Sequence, residues 1–333
     1  MSRSLSEHLH VCLIIPVFNE EDVLPLLFEA LQAFRNDRDE RISILFIDDG
    51  STDGTAALIR SVAGAWEDVQ LITFSRNFGH QIAVTAGLNL CEADAAIVMD
   101  ADLQDPPEVA GRMIDVWKDG HDVVYGHRIE REQVGWFERF TAGVYYRFFR
   151  SFTGVDAPVD TGDFRLISKP VIDAFRSLNE QQPYVRGLVS WLGFRQTAVD
   201  YVRPGRAAGT TKYPWRRRFD LALDGLASFS GKPLRFAMRL GLLIAAGSML
   251  GLVWVLIVKY VMETAITGWA SLIFAAFFFG GVQLFFLGVM GSYLARVYDE
   301  VKGRPRYVVR DSWHSNGNAV SSGPRTTPES STT

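Results

Sequence analysis

Acidic and amide side chains with the spacing of a metal and phosphate site follow an apolar run near residue 100. The run from Ala95 to Met99 stops at Asp100, and Asp102, Gln104 and Asp105 follow before two prolines open a predicted helix. Carboxylates crowded at the end of a buried strand repel one another and lose hydration, so a positive charge must offset them. A divalent cation that carries a phosphorylated ligand meets this need through hard oxygen ligands. The alternative is an acidic turn that caps the next helix.

Four further predicted strands end in polar side chains in the same way. They are the runs 11–15, 42–47, 69–74 and 122–125, and short connections follow them. Their alternation with helical patterns predicts an α/β domain with a mainly parallel sheet. In such sheets, ligands bind beyond the carboxyl ends of the strands. The polar residues expected at this edge are Asn19, Glu20, Asp48, Asp49, Arg76, Asn77 and Arg128.

Composition and short motifs exclude several classes of protein. A net charge of -4 over 333 residues and an isoelectric point near 5.9 argue against a nucleic-acid binder. The two cysteines, Cys12 and Cys91, predict neither a disulfide framework nor a cysteine metal cluster, and they suit a reducing cytosol. The first apolar run is broken by Pro16, which predicts a strand and not a signal peptide. Neither a dinucleotide-binding G-x-G-x-x-G after the first strand nor a G-x-x-x-x-G-K-[ST] loop occurs.

The C-terminal third carries a predicted membrane anchor. The uncharged run 240–258 would span about one hydrocarbon thickness as a helix, and a second run, 269–295, could span with tilt. Basic residues precede the first run and follow the second, whereas the short loop between the runs has few charges, so the positive-inside rule places the α/β domain and both termini on the cytoplasmic side. Apolar residues at helical spacing within 213–233 predict an amphipathic helix on the membrane surface, with an ordinary surface helix as the alternative.

These patterns divide the chain into six predicted parts. They are an N-terminal extension (1–10), a cytoplasmic α/β domain (11–212), an amphipathic juxtamembrane helix (213–233), two transmembrane helices (234–296), a basic cytoplasmic segment (297–310) and a disordered tail (311–333). Glycines in the second span favour close helix packing, either within one chain or in a homo-oligomer.

Seven sequence segments together resemble the family 2 glycosyltransferases of the GT-A fold. They are PVFNEED, IDDGSTDGT, SRNFG, DADLQDPPE, DTGDFRL, GTTKY and the paired spans, and they extend from about Val11 to Pro305. Within the family, the resemblance is to polyprenyl-phosphate glycosyltransferases of the GtrB and dolichyl-phosphate mannose synthase type. The Q-x-x-R-W motif of processive synthases is absent, which disfavours polymerisation.

The resemblance implies roles for individual residues. A nucleotide-sugar donor would lie at the strand ends, with Mg²⁺ or Mn²⁺ on its pyrophosphate. The implied residues are Pro16, Phe18, Glu20, Asp48 and Asp49 for base and ribose, Asp100 for the nucleotide side, Asp102 and Gln104 for the metal, Arg128, Arg206 and Lys212 for acceptor or donor phosphates, and Asp163 as the catalytic carboxylate.

Asp163 has two interpretations from the sequence. The acceptor, a lipid monophosphate, has a second pKa near 6 and is mostly dianionic at pH 7. Such a nucleophile scarcely needs a general base, so Asp163 is expected to orient or desolvate the acceptor. The alternative is that Asp163 caps a turn at Gly162.

The function implied by the resemblance is inverting, metal-dependent transfer of a single hexose to polyprenyl phosphate at the cytoplasmic leaflet. UDP-glucose is the first expected donor, ahead of GDP-mannose, UDP-N-acetylhexosamine and UDP-4-amino-arabinose types. Two alternatives stay open: a glycosyltransferase with another lipid or glycan acceptor, and a non-catalytic membrane scaffold subunit.

Overall fold

The computed structural model describes residues 9–129, 161–178, 180–202 and 268–315, with individual residues between 241 and 257. Two predicted phosphate-binding residues, Arg206 and Lys212, lie outside the described residues, as does the predicted amphipathic helix 213–233. The chain divides into two compact units, of which the first contains residues 1–146, 155–212 and 304–333 and the second contains 147–154 and 213–303.

The first unit alternates strands and helices as the sequence predicts. Its elements up to residue 128 are β1 (His10–Val17), α1 (Leu24–Asn36), β2 (Arg41–Asp48), α2 (Thr55–Ala63), β3 (Val69–Phe74), α3 (His80–Leu90), β4 (Ala95–Val98), α4 (Pro107–Lys118) and β5 (Val123–Arg128). After residue 160 follow β6 (Thr161–Ser168), α5 (Lys169–Arg176), α6 (Val185–Trp191) and β7 (Gln196–Tyr201), and near the C-terminus lies β8 (Val309–His314).

One eight-stranded sheet runs through this unit in the order β7-β5-β6-β4-β1-β2-β3-β8. Six strands run in one direction, whereas β6 and β8 are antiparallel to their neighbours. The predicted mainly parallel sheet is therefore confirmed. Because β6 runs against β4 and β5, its first residues lie at the edge where its neighbours end.

Helices cover both faces of the sheet. Helix α1 packs with α2 and α4, while α3 packs with α5 and α6. Strand β1 is consequently buried along nearly its whole length, which explains its continuous apolar sequence. Helix α3 approaches β1 closely at Gly87, where a Cβ atom would lie 2.3 Å from the Ile14 side chain.

Strands β6, β7 and β8 are absent from the sequence-based prediction. Strand β6 contains two buried charged residues, Asp163 and Arg165. They interrupt the apolar pattern by which a buried strand is recognised in a sequence. Strands β7 and β8 form the two edges of the sheet and have mixed exposure, so neither shows a long apolar run.

The prediction of a disordered tail from Asp311 is wrong for the first residues of that segment. Residues 309–314 form β8, which pairs with β3 from Phe74↔Val309 to Gln70↔His314. The preceding turn is also attached, because the Ser75 N–H donates to the Val308 carbonyl (2.9 Å) and Tyr307 stacks on Phe74 at 4.9 Å. Backbone pairing with an open sheet edge thus orders a polar segment that has no apolar pattern of its own.

The second unit contains a long apolar helix, α7 (Trp269–Lys302). It extends beyond the span predicted to end at residue 295. Among the described residues, one stretch of it, Phe278–Lys302, is long and apolar enough to cross a membrane. Of the predicted first span, the individual residues that the structure describes are helical, and the rest lie outside the described residues.

At the edge of the sheet opposite the site residues, Glu40 ties the start of β2 to helix α4. Its buried carboxylate pairs with Arg38 (Nε–Oε2, 2.9 Å) and with Lys118, and Arg38 also reaches Asp115 (2.8 Å). Burial alone would raise the pKa of Glu40, but the hydrogen bonds from Arg38 and Lys118 lower it to about 2.

We expect Glu40→Gln to lower the free energy of unfolding by about 2 kcal/mol at pH 7, because Arg38 and Lys118 lose their buried carboxylate. A pKa lowered from about 4.5 to about 2 stabilises the fold above pH 4.5, and this contribution is lost as the pH falls through 2. Thermal unfolding in detergent at pH 7 and pH 3 measures both effects. The exposed neighbour Asp39→Asn is the control; equal destabilisation by the two variants would contradict the prediction.

Candidate active site

The loops after β1 and β2 are tied together at the carboxyl edge of the sheet. Asp48 is fully buried, and its Oδ1 accepts from the Ser51 N–H (2.8 Å). Its Oδ2 is buried and has no hydrogen-bond partner within the described part of the chain. Asn19, with φ +55°, accepts from the Thr52 N–H (2.9 Å), and the Glu20 N–H donates to Thr55 Oγ1 (2.9 Å). These bonds fix the shape of the edge where the predicted nucleotide site lies.

Asp49 connects the end of β2 to the start of α3. Its two oxygens accept from the backbone N–H groups of Phe78 (2.7 Å) and Gly79 (2.8 Å). Burial raises the pKa of Asp49, although these two hydrogen bonds oppose the rise. The connection requires Gly50, which has φ +74° and whose Cβ would lie 2.4 Å from the Arg76 carbonyl carbon.

Asp100, Asp102 and Gln104 form a compact acidic turn after β4. The Gln104 N–H donates to Asp102 Oδ1 (3.1 Å), and Leu103 between them has φ +58°, which a branched-chain residue rarely adopts. Gln104 is buried, and its Oε1 has no hydrogen-bond partner among the described residues. Burial, followed by the neighbouring carboxylates, raises the pKa of Asp100 to about 6 against the opposing charge of His80.

This turn fits a divalent cation. Gln104 offers a buried carbonyl oxygen, and the carboxylates of Asp100 and Asp102 lie in the same turn, where a cation would offset their charge. No group of three His, Cys, Asp or Glu side chains in the described ranges is arranged as a metal site. Mg²⁺ does not need such a group, because it binds through one or two carboxylates together with substrate phosphates and water.

Arg128 and Asp105 meet through Tyr201 beside the acidic turn. The Tyr201 hydroxyl donates to Asp105 Oδ1 (2.8 Å) and accepts from Arg128 Nε (3.2 Å), and burial raises the pKa of Tyr201 to about 12. Asp105 is almost fully buried, which agrees with a structural role. Arg128 lies against Gly162, where a Cβ atom would come within 2.3 Å of its Nη2, so a larger residue before Asp163 would displace the Arg128 guanidinium.

Asp163 lies within strand β6, so the interpretation of this residue as a cap on a glycine turn is wrong. Its carboxylate accepts hydrogen bonds from two helices. Arg186 of α6 donates through Nε to Oδ1 (2.7 Å) and through Nη2 to Oδ2 (3.2 Å). From α3, His80 Nε2 (3.1 Å) and Gln81 Nε2 (3.0 Å) both bond to Oδ2. Gln81 is itself fixed, because its Oε1 accepts from the Val185 N–H (3.0 Å).

These partners keep Asp163 ionised. Burial alone would raise its pKa, but the hydrogen bond from His80 and the charge of Arg186 outweigh burial and hold the pKa well below its usual range. The same contacts act on His80, where the Asp163 hydrogen bond and the charge of Asp100 raise the pKa against the opposing effect of burial. His80 Nε2 lies 3.8 Å from Asp100 Oδ1, so it stands between the acidic turn and Asp163.

The structure places the described site residues predicted from sequence at one edge of the sheet. Pro16 is buried in β1, Phe18 just beyond it is exposed, and Glu20 is half-buried. The other members are Asp48, Asp49, Asp100, Asp102, Gln104, Arg128 and Asp163.

Sequence analysis missed His80, Gln81 and Arg186 as site residues. The first two lie at the end of the five-residue loop that follows the third strand, which is the region that the strand-end rule singles out. Arg186 is a lone cation in the apolar segment Tyr184 to Leu188.

A mostly parallel sheet with buried carboxylates at its carboxyl edge is the arrangement of a nucleotide-sugar transferase of the GT-A fold. The chain belongs to glycosyl transferase family 2, whose family model matches residues 12–176. The family resemblance seen in the sequence is thereby confirmed, and the protein is a glycosyltransferase.

Three relatives match nearly the whole chain. The "Uncharacterized glycosyltransferase YkcC" of Bacillus subtilis is 44% identical, over 93% of this chain and 96% of its own length. The "Bactoprenol glucosyl transferase" of Shigella phage SfII is 37% identical, over 92% and 99%. The "Prophage bactoprenol glucosyl transferase homolog" of Escherichia coli is 35% identical, over 90% and 98%.

Proposed function

We propose that this protein transfers a single glucose from UDP-glucose to polyprenyl phosphate, with inversion, at the cytoplasmic leaflet of the membrane. The observation that carries the proposal is the near-full-length match with relatives named bactoprenol glucosyl transferases, since bactoprenol is a polyprenyl lipid. The match includes the region of the predicted membrane anchor. Such an anchor would hold the enzyme at the membrane, where a polyprenyl lipid acceptor lies.

The proposed reaction balances without a proton acceptor. An oxygen of the acceptor phosphate attacks C1 of the sugar, and the bond from C1 to the β-phosphate oxygen of the donor breaks. A dianionic acceptor becomes a monoanionic phosphodiester while the donor dianion leaves as trianionic UDP, so the total charge is unchanged. The main demand on the enzyme is therefore to stabilise charge on the leaving diphosphate and on the oxocarbenium-like sugar.

The chain's own residues would divide these tasks by position. Asp48 and Asp49, with the exposed ring of Phe18, would hold base and ribose at the ends of β1 and β2. Asp102 and Gln104 would hold Mg²⁺ or Mn²⁺, which when bound supplies positive charge to the leaving diphosphate. The proposed phosphate contacts are Arg128 and two residues outside the described ranges, Arg206 and Lys212.

Asp163 would act as a fixed carboxylate and not as a proton acceptor. A general base works best when its pKa lies near the operating pH. Burial would raise the pKa of Asp163, but His80 and Arg186 outweigh burial and hold this pKa well below its usual range. The carboxylate therefore binds a proton only weakly. A lipid phosphate nucleophile, which is already ionised, is compatible with this property.

Chain connectivity supports the proposal of two membrane spans. Residues 155–212 and 304–333 belong to one folded unit, and β8 of the second range pairs with β3 of the same sheet. A segment that leaves and rejoins one folded unit must cross a membrane an even number of times. Cysteine labelling with an impermeant maleimide tests this: Glu263→Cys should react in intact cells and Arg304→Cys only after permeabilisation. Labelling of both in intact cells would contradict it.

Purified protein in detergent with polyprenyl phosphate and Mg²⁺ or Mn²⁺ tests the function directly. We expect UDP-glucose to give a lipid product heavier by one hexose, and GDP-mannose and UDP-N-acetylglucosamine to give much less. Mass spectrometry of the lipid distinguishes these products. Diacylglycerol as the acceptor is the comparison; a product on that lipid alone, or with another donor alone, would contradict the proposal.

A further inference from the structure

In the Asp163 cluster the carboxylate is buried, and two of its hydrogen-bond partners are accessible to solvent. The Asp163 side chain is 8% exposed, whereas its partners Arg186 and His80 are 37% and 41% exposed. The acid is thus the buried member, and the guanidinium and the imidazole form the accessible face. A substrate that arrives at this edge of the sheet meets the guanidinium and the imidazole before it meets the carboxylate.

Three side chains already hold the Asp163 carboxylate. Its Oδ2 bonds with His80, Gln81 and Arg186, and its Oδ1 accepts from Arg186. Each carboxylate oxygen has about two lone-pair sites, so a substrate group could bond to Oδ2 only by displacing one of these donors. The carboxylate therefore fixes the directions of the Arg186 guanidinium and the His80 imidazole.

The guanidinium and the imidazole held by Asp163 have the chemistry that recognises a phosphate group. A guanidinium presents a planar fork of N–H donors that matches phosphate oxygens, and its orientation is preset by a two-point contact with Asp163. His80 is the first residue of the eleven-residue helix α3, where the helix dipole adds positive potential. Asp100, at 3.8 Å from His80, marks the boundary with the metal and nucleotide side.

We infer that Arg186 and His80, oriented by Asp163, bind the phosphate group of the lipid acceptor beside the donor. This inference rests on the proposed function, and it assigns to Asp163 a positioning role that acts through Arg186. The donor diphosphate also contains phosphate groups that these side chains could bind. The test therefore measures acceptor and donor separately.

The test compares Arg186→Gln with the wild type in steady-state kinetics that vary donor and acceptor separately. We expect the KM for polyprenyl phosphate to rise at least tenfold and the KM for UDP-glucose to change less than twofold. Arg186→Lys should recover part of the loss, because it keeps the charge and the pairing with Asp163 but not the planar fork. Arg195→Gln, an exposed arginine next to the start of β7, is the matched control and should leave both KM values unchanged.

Binding provides a readout that does not depend on turnover. Farnesyl phosphate and UDP with Mg²⁺ are titrated separately by calorimetry, and thermal unfolding confirms that each variant is folded. Weaker binding of UDP alone in Arg186→Gln would assign the phosphate to the donor and overturn the inference, as would unchanged binding of both probes. A wild type that makes no lipid-linked sugar would overturn the proposed function, whereas an active wild type with an unaltered acceptor KM in Arg186→Gln overturns only this inference.

Discussion

Asp163→Asn is expected to lower kcat/KM for the lipid acceptor by about 10³-fold. An amide at this position replaces an accepting oxygen by an NH₂ group that faces the donors of Arg186, His80 or Gln81. Removal of one partner of a buried ion pair typically costs about 3–5 kcal/mol. We expect loss of the Arg186 orientation to raise the activation free energy of the transfer by a similar amount. Steady-state kinetics with polyprenyl phosphate as the varied substrate measure the effect.

Controls separate this effect from misfolding. Binding of UDP with Mg²⁺ should stay close to the wild-type value, and a single cooperative thermal transition, at a lower temperature because a buried ion pair is lost, shows that the α/β fold is retained. Asp37→Asn removes an exposed carboxylate after α1 and should leave kcat/KM unchanged. An Asp163→Asn protein with full activity would show that neither the charge nor the accepting oxygens of this residue are needed.

Asp102→Ala is expected to abolish metal-dependent turnover, with a loss of at least about 10³-fold, while membrane insertion persists. Its carboxylate is the charged ligand in the proposed metal pair, and Gln104 supplies only a neutral carbonyl oxygen. Without the cation, charge that develops on the leaving diphosphate is not neutralised. Activity at increasing Mg²⁺ or Mn²⁺, and extraction of the protein from membranes, measure the two parts.

A second readout for Asp102→Ala is the metal dependence of UDP binding. In the wild type, Mn²⁺ should increase the affinity for UDP, and in the variant this increase should disappear. Glu108→Gln removes an exposed acid in the first turn of α4, six residues away, and serves as the matched control. Gln104→Ala should show a smaller loss than Asp102→Ala. Full activity of Asp102→Ala would remove the basis for the metal assignment.

The grouping of the residues proposed for the nucleotide and the metal could be predicted because its information is local. Asp48, Asp49, Asp100 and Asp102 each follow a buried apolar strand directly, and parallel strands in an α/β sheet bring their carboxyl ends to one edge. The same rule applies to His80, which follows the third strand. Strand direction alone suffices to place these residues at the same edge of the sheet.

The partners of Asp163 could not be predicted in this way. Its bonds join residues 23 positions apart, to Arg186, and 83 positions apart, to His80. They form because β6 runs antiparallel between β4 and β5, a pairing that the interrupted apolar pattern of β6 did not indicate. Sequence position alone therefore suggested a turn where the structure has a buried strand.

The sequence by itself determined the α/β class, the family and the edge of the sheet that carries the site, since apolar periodicity and strand-end residues are set within short stretches of chain. Tertiary structure decided which member of the Asp163 cluster is buried and which are accessible, and it decided that residues 309–314 complete the sheet. Both depend on long-range backbone pairing. An open sheet edge can order a polar segment such as β8, and a strand register can place a carboxylate behind a guanidinium and an imidazole, without any periodic signal in the residues concerned.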